Sequence, residues 1–471
     1  MMASLNSSQE LTSNSRHQVL LTLLLGGTVI SFGNSALNPA IPIFMSVFDV
    51  DIVMGGWVLN AYVLSMSVGL MLSGYLHKEF AFKPVYLTAI IGFMLGSVIG
   101  MCAPSMTMVI VARAIQGLSG GLTIPLSIGM LYQIYPQHRH GRVMALWGIV
   151  IMMSLAFGPL IGAYLVEQFA WWTLFAVTLP LSAVVTLMVW RLLPNIGSPK
   201  ASKTFDTIGF VSLLIWLLAL MTWLSTLKTG FYTSLTSVIK TSLVAAMFLI
   251  SFMVWWAYER RQSQPLLNVR LFRNTVYLHS TIISVTQTLG LMVGLLLLPI
   301  LVQEIMGESA LWTGVILMTA TLMSSITTHF AGKRVDKHGA RDIGILGIIL
   351  SASSMLLAWC LYQPTLWLLI LIMSLQGVGV GLAYLPTTTV GFSSLAKEGV
   401  TEGAALNNIS RRIVSTIFIT LVTLYVAGRG AQLLATGSAQ SVGTAIQEVF
   451  VILAVILFLT IFSARRLPKA V

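Results

Sequence analysis

The residue in this sequence best placed for chemistry is Arg113, which stands inside the long apolar stretch 106–132. A guanidinium in such surroundings costs at least about 2.5–3.5 kcal/mol on membrane-insertion scales, so it needs a polar environment. We therefore predict that Arg113 faces a polar cavity and serves in binding or in a conformational change. The alternative is a structural arginine, with its guanidinium at an interface or paired with a backbone carbonyl.

No carboxylate is placed to face Arg113. The fourteen acidic residues all fall outside the middles of the apolar stretches. Glu167 and Glu304 come nearest to them, at the outer ends of their stretches, and His279 lies at the inner end of the stretch 276–302. Carboxylates and imidazole are the usual proton carriers, so these three residues are the candidates for moving a proton, with solvated or structural roles as the alternative.

Other chemistry finds no support in the residues. Cys102 and Cys360 are isolated and have no ligand spacing, so no metal or redox site is predicted. The Gly332-Lys333 pair is not part of a GxxxxGK[ST] motif, which argues against ATP-driven work by this chain. No acid–base pair or metal cluster suggests an enzyme.

The elements that carry these residues must be membrane-spanning helices. Of the 471 residues, 56% are hydrophobic and only 8% are charged, whereas soluble domains carry about 25% charged residues. About 20 apolar residues cross a bilayer as a helix, and an open sheet could not pair its edges in lipid. We predict fourteen spans, near 18–45, 53–76, 84–103, 106–132, 143–166, 170–193, 207–227, 237–258, 276–302, 311–331, 343–362, 365–390, 410–427 and 445–463.

The basic residues predict the orientation. With the N-terminus inside, 22 of the 26 Lys and Arg residues fall on the cytoplasmic side, three fall outside, and Arg113 lies within a span. Cytoplasmic loops carry such an excess of basic residues. The net charge of +12 is therefore predicted to fix orientation and to touch anionic headgroups, not nucleic acid. Both termini are predicted to be cytoplasmic.

The chain contains an internal repeat. Gly74 and Gly332 open similar loop sequences, with an offset of 332 − 74 = 258. Two helices later stand Gln116-Gly117 and Gln376-Gly377, with an offset of 376 − 116 = 260. A repeated bundle of six helices with two extra helices inserted is typical of secondary transporters, whose substrate site lies where the repeats meet.

Several motifs in a fixed order extend this pattern along the chain. They are Trp57-Val-Leu-Asn60-Ala-Tyr62, Arg113-Ala-Ile-Gln116-Gly117, Gly158-Pro159-Leu-Ile-Gly162, Phe205-Asp206-Thr-Ile-Gly209, Leu298-Pro299 through Gln303, and Gly403-Ala-Ala-Leu-Asn407-Asn408-Ile-Ser-Arg411. With them the sequence resembles the fourteen-helix drug:proton antiporter branch of the major facilitator superfamily. The resemblance implies an all-α integral membrane fold with two six-helix bundles and two inserted helices.

The resemblance also assigns roles to residues. Its gating and antiporter motifs correspond to Gly158, Pro159, Gly162, Gly332, Asp336, Gly339 and Arg341. Its cavity, built from helices 1, 4, 9 and 12 with part of helix 2, corresponds to Asn34, Asn38, Trp57, Tyr62, Arg113, Gln116, Ser284, Gln287, Gln376 and Tyr384. We expect about half of the polar members of this set only to join helices by hydrogen bonds.

Two departures from that branch bear on mechanism. Gly33 holds the place of the usual helix 1 Asp, which removes a usual proton or cation carrier. Lys78-Glu79 replaces the usual Asp and Arg of the first loop, so the second copy at Asp336 and Arg341 is predicted to carry more of the inner gate. With Arg113 and no facing acid, the cavity is predicted to be positive. Anionic, zwitterionic or neutral substrates are then favoured over cations.

The expected function is export of a small amphipathic compound, driven by the proton gradient and without a bound cofactor or metal. The alternatives are a dedicated exporter of one metabolite or siderophore, and an uncoupled facilitator or sensor. We expect a monomer in the plasma or inner membrane whose partners are substrate and lipid. The predicted divisions are an N-terminal tail (1–17), a first bundle (18–193), a linker with two inserted helices (194–272), a second bundle (273–463) and a C-terminal tail (464–471).

Overall fold

The computed structural model describes residues 13–136, 139–195, 207–226, 235–259, 261, 268–338, 340–359, 365–396, 399–435 and 441–468. These residues form helices and no strands, which confirms the predicted all-α class. The helices are α1 (Ser13–Ser35), α2 (Ile41–Val47), α3 (Ile52–Glu79), α4 (Phe82–Met101), α5 (Met106–Ile134), α6 (His140–Gln168), α7 (Thr173–Ala176), α8 (Thr178–Leu192), α9 (Thr207–Thr226), α10 (Leu235–Glu259), α11 (Thr275–Ile300), α12 (Ala310–His338), α13 (Ala340–Trp359), α14 (Leu366–Ser393), α15 (Val400–Ala435) and α16 (Ser441–Ala464).

The helices are built for lipid. In the described part of the chain, thirteen of them are long and apolar enough to cross a membrane. The remaining predicted span corresponds to α9, whose portion Thr207–Leu220 is a shorter apolar helix. Large apolar side chains such as Leu243, Phe330 and Phe462 are more than half exposed. Exposure on this scale is stable only where the surroundings are themselves apolar.

The first predicted span, 18–45, is one element in the sequence but three in the structure. α1 ends at Ser35, a 3₁₀ turn covers Asn38–Ala40, and α2 follows. Pro39 and Pro42 lack a backbone N–H and disfavour the helical conformation of the residue before them, so the helix cannot continue unbroken. The break leaves the carbonyl of Pro39 free to bond elsewhere.

The thirteenth span begins earlier than predicted. α15 is continuous from Val400 and has 36 residues, whereas the sequence predicts a start near 410. Arg411 and Arg412, which the sequence analysis counts on the cytoplasmic side, therefore lie inside a helix, 11 and 12 residues from its start. Averaged hydropathy hides this part of the helix because its polar residues lower the mean over the window. Removing the pair leaves 22 − 2 = 20 basic residues on the predicted inner side, against three outside.

The repeat is visible as equivalent packing. A Cβ on Gly117 of α5 would collide with the backbone of Tyr62 in α3, and a Cβ on Gly377 of α14 would collide with the backbone of Ala320 in α12. The offsets, 377 − 117 = 260 and 320 − 62 = 258, are those of the sequence repeat. Small residues allow helix backbones to approach closely, and the same pair of helices does so in each half.

The two halves meet along α3 with α15 and along α6 with α12. Asn60 Nδ2 of α3 donates to Thr420 Oγ1 of α15 at 3.0 Å. The inserted helices α9 and α10 pack on each other through aromatic rings, with Trp216 stacked on Phe248 and Trp255. We call the end of the bundle that the charges predict to be cytoplasmic the inner end, and the opposite end the outer end.

Candidate functional site

Arg113 lies in the packed interior of the first half. Its side chain has 0% exposure, and its guanidinium contacts two neighbouring helices, α1 and α3. Nη1 donates to the carbonyl of Gly33 in α1 at 3.0 Å, and Nε donates to the carbonyl of Val58 in α3 at 3.3 Å. The guanidinium also lies 4.1 Å from the centre of the Tyr62 ring. Backbone dipoles and a π face thus stabilise the charge in place of a carboxylate.

Gly33 makes this arrangement possible. A Cβ at Gly33 would lie 2.6 Å from Cζ of Phe93 in α4, so that ring fills the space where a larger residue would project. The position at which the related branch carries an acid therefore supplies a backbone carbonyl to Arg113 instead. The backbone accepts the hydrogen bond without adding an ionisable group.

The prediction that Arg113 faces a polar cavity is not met in this conformation. Its side chain has no exposed surface, because α1 and α3 close around it. The alternative reading, pairing with a backbone carbonyl, describes its contacts. Only Nη2 of the guanidinium is buried without a hydrogen-bond partner. A role for Arg113 in transport stays a prediction.

The predicted cavity glutamines instead form buried links between helices. Gln116 Nε2 donates to Ser97 Oγ of α4 at 2.9 Å, while its Oε1 accepts from Arg113. In the second half, Gln376 Oε1 accepts from Ser354 Oγ of α13 at 2.9 Å, and Gln287 Oε1 accepts from Ser351 Oγ at 2.9 Å. All three glutamines have 0% exposure. They join neighbouring helices in this conformation, as we expected for part of the set.

The other predicted cavity residues lie in several environments. Tyr62 and Ser284 are buried, and Ser284 Oγ donates to Asn407 Oδ1 at 3.2 Å. Asn38 is buried in the 3₁₀ turn after α1, where its Oδ1 has no hydrogen-bond partner. Trp57 is half-buried in a cluster with residues of the inserted helices. Asn34 and Tyr384 are half-buried, so of this set only they, with Trp57, keep exposed surface.

The predicted gating glycines of α6 lie against the end of α1. A Cβ on Gly158 would collide with Ser35, and one on Gly162 would collide with the backbone of Ala36. On the other side of α6, a Cβ on Gly314 of α12 would lie 2.8 Å from the carbonyl oxygen of Pro159. The GPxxG sequence therefore allows α6 to touch helices of both halves. Whether it also bends during transport stays a prediction.

The predicted inner gate falls mainly outside the described structure. The side chain of Asp336, like those of Lys78 and Glu79, lies outside the described part, as does Gly339, and of Gly332 only its place in α12 is described. Arg341 is half-buried near the start of α13. The division of labour between the two loops stays a prediction.

The three proton-carrier candidates lie at the ends of the bundle. Glu167, at the outer end of α6, accepts a hydrogen bond from the backbone nitrogen of Leu311 in the first turn of α12 at 3.2 Å. Glu304 is exposed in a π-helical turn at the outer end of α11, where it lines a small pocket with Met45 and Val426. His279 lies at the inner end, 3.5 Å from Nη1 of Arg466.

The outer end joins the two halves through polar contacts. Gln303 Nε2 donates to the carbonyl of Pro39, freed by the break after α1, at 2.7 Å. Glu167 and Leu311 make the second contact. Beneath them one hydrophobic cluster includes Ile41 and Ile52 of the first half with Ile300 of the second. The outer end is therefore closed in this conformation.

Sequence reasoning missed two cationic residues of the second half. Arg411 lies on α15 with its guanidinium 4.8 Å from the centre of the Tyr384 ring in α14. It also donates to Asn408 Oδ1 and, at 3.5 Å, to Thr288 Oγ1 of α11. Arg412 lies next to it, within electrostatic range of Tyr62 in the first half and of Tyr384. The signal that could have found them lies in 403–411. Asn407 and Asn408 precede Arg411 by four and three residues, which places all three on one face of a helix.

These features define a membrane transporter made of two repeated bundles. The chain belongs to the major facilitator superfamily, since the model of that family matches residues 23–419. It is a transporter and not an enzyme, as predicted.

Known proteins similar to this chain agree with that class. The uncharacterized MFS-type transporter YhcA of Bacillus subtilis is 27% identical over 87% of this chain and 76% of its own length. The multidrug export protein EmrB of Haemophilus influenzae is 24% identical over 86% of this chain and 80% of its own. The inward open structure of the xylose transporter XylE from E. coli shares the fold with a TM-score of 0.65 at 13% identity, covering 97% of each chain.

Proposed function

We propose that this protein exports a small amphipathic compound from the cytoplasm by alternating access, in exchange for protons. The observation that carries the proposal is the closed outer end, where Gln303 meets Pro39 and Glu167 meets Leu311. Closure there, together with partly exposed polar and aromatic groups such as Tyr384 and Arg411 nearer the inner end, suits a state that collects substrate from the inner side. The multidrug export relatives support the same direction of transport.

Transport and its coupling can be measured together. The purified protein is placed in liposomes with an acidic lumen, and the uptake of ethidium and of the sulfonated dye sulforhodamine B is followed. We expect at least one dye to enter the lumen, and nigericin, which collapses the pH gradient, to abolish its uptake. No uptake of either dye by folded protein contradicts amphipathic export. Liposomes containing Arg429→Gln protein serve as a control for reconstitution.

An uncoupled facilitator is the second candidate, and one observation favours it. In the described structure the hydrogen-bond acceptors of Arg113 are the carbonyls of Gly33 and Val58 and the amide of Gln116, and none of them is an acid that could carry a proton. In the same assay a facilitator would equilibrate dye across the membrane whether or not nigericin is present.

Coupling, if present, needs a carrier elsewhere. Glu167 and Glu304 lie at the outer end, where an external proton arrives first. Glu167→Gln and Glu304→Gln are each expected to keep dye binding. The variant that removes the carrier makes uptake insensitive to nigericin. If both variants keep nigericin-sensitive uptake, neither residue is the carrier.

Orientation and location are part of the proposal. The distribution of basic residues supports cytoplasmic termini in the plasma or inner membrane. A reporter fused after Val471 should behave as cytoplasmic, and one inserted near Thr233 as external. Opposite results would overturn the orientation. We also propose that the monomer is the functional unit, which cross-linking in liposomes can test.

A further inference from the structure

Arg411 and Arg412 are neighbouring cations placed inside the helical bundle. Arg411 is 11 residues from the start of α15, or about 16 Å along the helix axis. Thr420, which meets Asn60 of the other half, lies eight residues beyond Arg412, about 12 Å toward the outer end. The pair therefore lies in the inner half of the bundle, below the seam where α3 and α15 touch.

The guanidinium of Arg411 is turned toward the protein and away from lipid. Its partners Thr288 and Tyr384 are on α11 and α14, which lie beside α15 in the second half. Tyr62, which is within electrostatic range of Arg412, belongs to the first half. The pair thus lies where the two halves face each other. Both arginines are partly exposed.

The charges of this pair are not neutralised. In the part of the chain that the structure describes, no salt bridge joins Arg411 or Arg412 to a carboxylate. The polar partners of Arg411 are the neutral groups of Asn408 and Thr288. Nε of each arginine is buried without a hydrogen-bond partner. Adjacent like charges with unused donors favour an anion between them.

We propose that Arg411 and Arg412 form the binding site for the anionic group of a small aromatic substrate. The carboxylate or phosphate accepts hydrogen bonds from the two guanidinium groups, and the apolar body lies against the partly exposed ring of Tyr384. This inference deepens the proposed export function and rests on it for the direction of movement. Arg113 is not part of the site, because its guanidinium is enclosed and already bonded.

Binding can be tested with three probes that share one ring system and differ in charge. Indole-3-acetate is anionic, indole-3-acetamide is neutral and tryptamine is cationic. Calorimetry with the full-length protein in phosphatidylcholine nanodiscs gives their dissociation constants without any transport step. We expect the anion to bind about tenfold or more tightly than the amide, as charged hydrogen bonds are stronger than neutral ones. Equal binding of all three probes, or no binding of the anion at millimolar concentration, overturns the proposal.

Substitutions locate the site. Arg411→Gln and Arg412→Gln keep hydrogen-bond donors but lose the charge, so each should weaken indole-3-acetate binding about tenfold while leaving the amide unchanged. Arg412→Lys keeps the charge without the planar fork and should fall between wild type and Arg412→Gln. Arg429→Gln makes the same chemical change at the outer end and should have no effect. If both glutamine variants keep the preference for the anion, the site lies elsewhere.

A lipid headgroup offers the same chemistry as a soluble anion. Repeating the titration in nanodiscs that contain phosphatidylglycerol separates the two sources. Unchanged affinity for indole-3-acetate supports a site for soluble organic anions, whereas its complete loss shows that the pair holds lipid and overturns the proposal. Charge-selective binding without pH-driven dye uptake would overturn the export function alone. Coupled uptake of ethidium without selectivity for the anion would overturn only this site.

Discussion

The two halves of the molecule share their packing but not their charges. Gly117 and Gly377 allow the same helix contact in each half, and Gln116 and Gln376 each reach a serine of the neighbouring helix. Met373 occupies the repeat position of Arg113 (113 + 260 = 373). Conversely, the stretch of α6 that corresponds to Arg411 and Arg412, residues 151–154, has no ionisable residue. The repeat supplies a scaffold, and the unpaired cations make the halves different.

The difference also separates two kinds of buried arginine. Arg113 is enclosed, with two backbone carbonyls and a glutamine as acceptors. Arg411 is partly exposed and has two neutral side chains as acceptors. The first arrangement ties helices together, whereas the second leaves donors for a ligand. Position in the sequence alone favours Arg113 as the binding residue. The contacts in the structure favour Arg411 instead.

The helix packing that the two halves share can be disrupted at the same position in each half. In Gly117→Leu and Gly377→Leu the new Cβ meets a backbone carbonyl, which cannot move aside cheaply. We expect both variants to lose monodisperse protein, measured by size-exclusion chromatography of membrane extracts. Gly148→Leu is the control, because no atom lies within 4 Å of a Cβ built there. Tolerance of one variant but not the other would show that the halves do not pack alike.

Replacing Arg113 tests whether its charge serves transport. Arg113→Met copies the second half and removes the desolvation cost of a buried guanidinium that has no carboxylate partner. We expect the melting temperature to hold while dye uptake falls to background, because the ties from α5 to α1 and α3 are lost. Arg113→Ala should lose uptake and also melt earlier, since it leaves a cavity. Normal uptake by Arg113→Met would make Arg113 a packing residue.

Restoring an acid at position 33 tests the role of the backbone carbonyl there. Gly33→Asp places a Cβ 2.6 Å from the ring of Phe93, so we expect a reduced melting temperature. Gly33→Asp combined with Phe93→Ala removes that clash and should recover part of the loss, with the new carboxylate beside Arg113. Thermal unfolding of the two variants and of Phe93→Ala alone measures the coupling. Strictly additive effects would show that Phe93 is not what excludes the acid.

The ion pair at the outer end should matter least. Nη2 of Arg429 lies 3.1 Å from Oε1 of Glu448, with the two side chains 38% and 29% exposed. Pairs in such positions contribute about 0–1 kcal/mol. Arg429→Gln is expected to change the melting temperature by no more than about 2 °C and to leave dye uptake unchanged. A large loss of uptake would show that this pair takes part in opening the outer end.

The sequence predicted the class and the spans well because hydrophobic length is a local property. The prediction of spans failed at the start of α15, where polar residues lower the hydropathy averaged over a window. It also failed after Ser35, where a proline pair breaks a long apolar run. The sequence could not predict that Gln116 bonds to Ser97, because such partners are distant in sequence. The burial of Arg113 depends on α1 and α3 closing around it, and no single stretch of sequence records that.

The length of α15 has a mechanical consequence. Its 36 residues span about 54 Å, well beyond the roughly 30 Å of hydrocarbon in a bilayer. It touches the first half at Thr420 and carries Arg411 nine residues from that contact. A rigid rod held at such a point acts as a lever. A tilt of about 10° around Thr420 would displace Arg411 by about 2 Å, enough to break its hydrogen bond to Thr288.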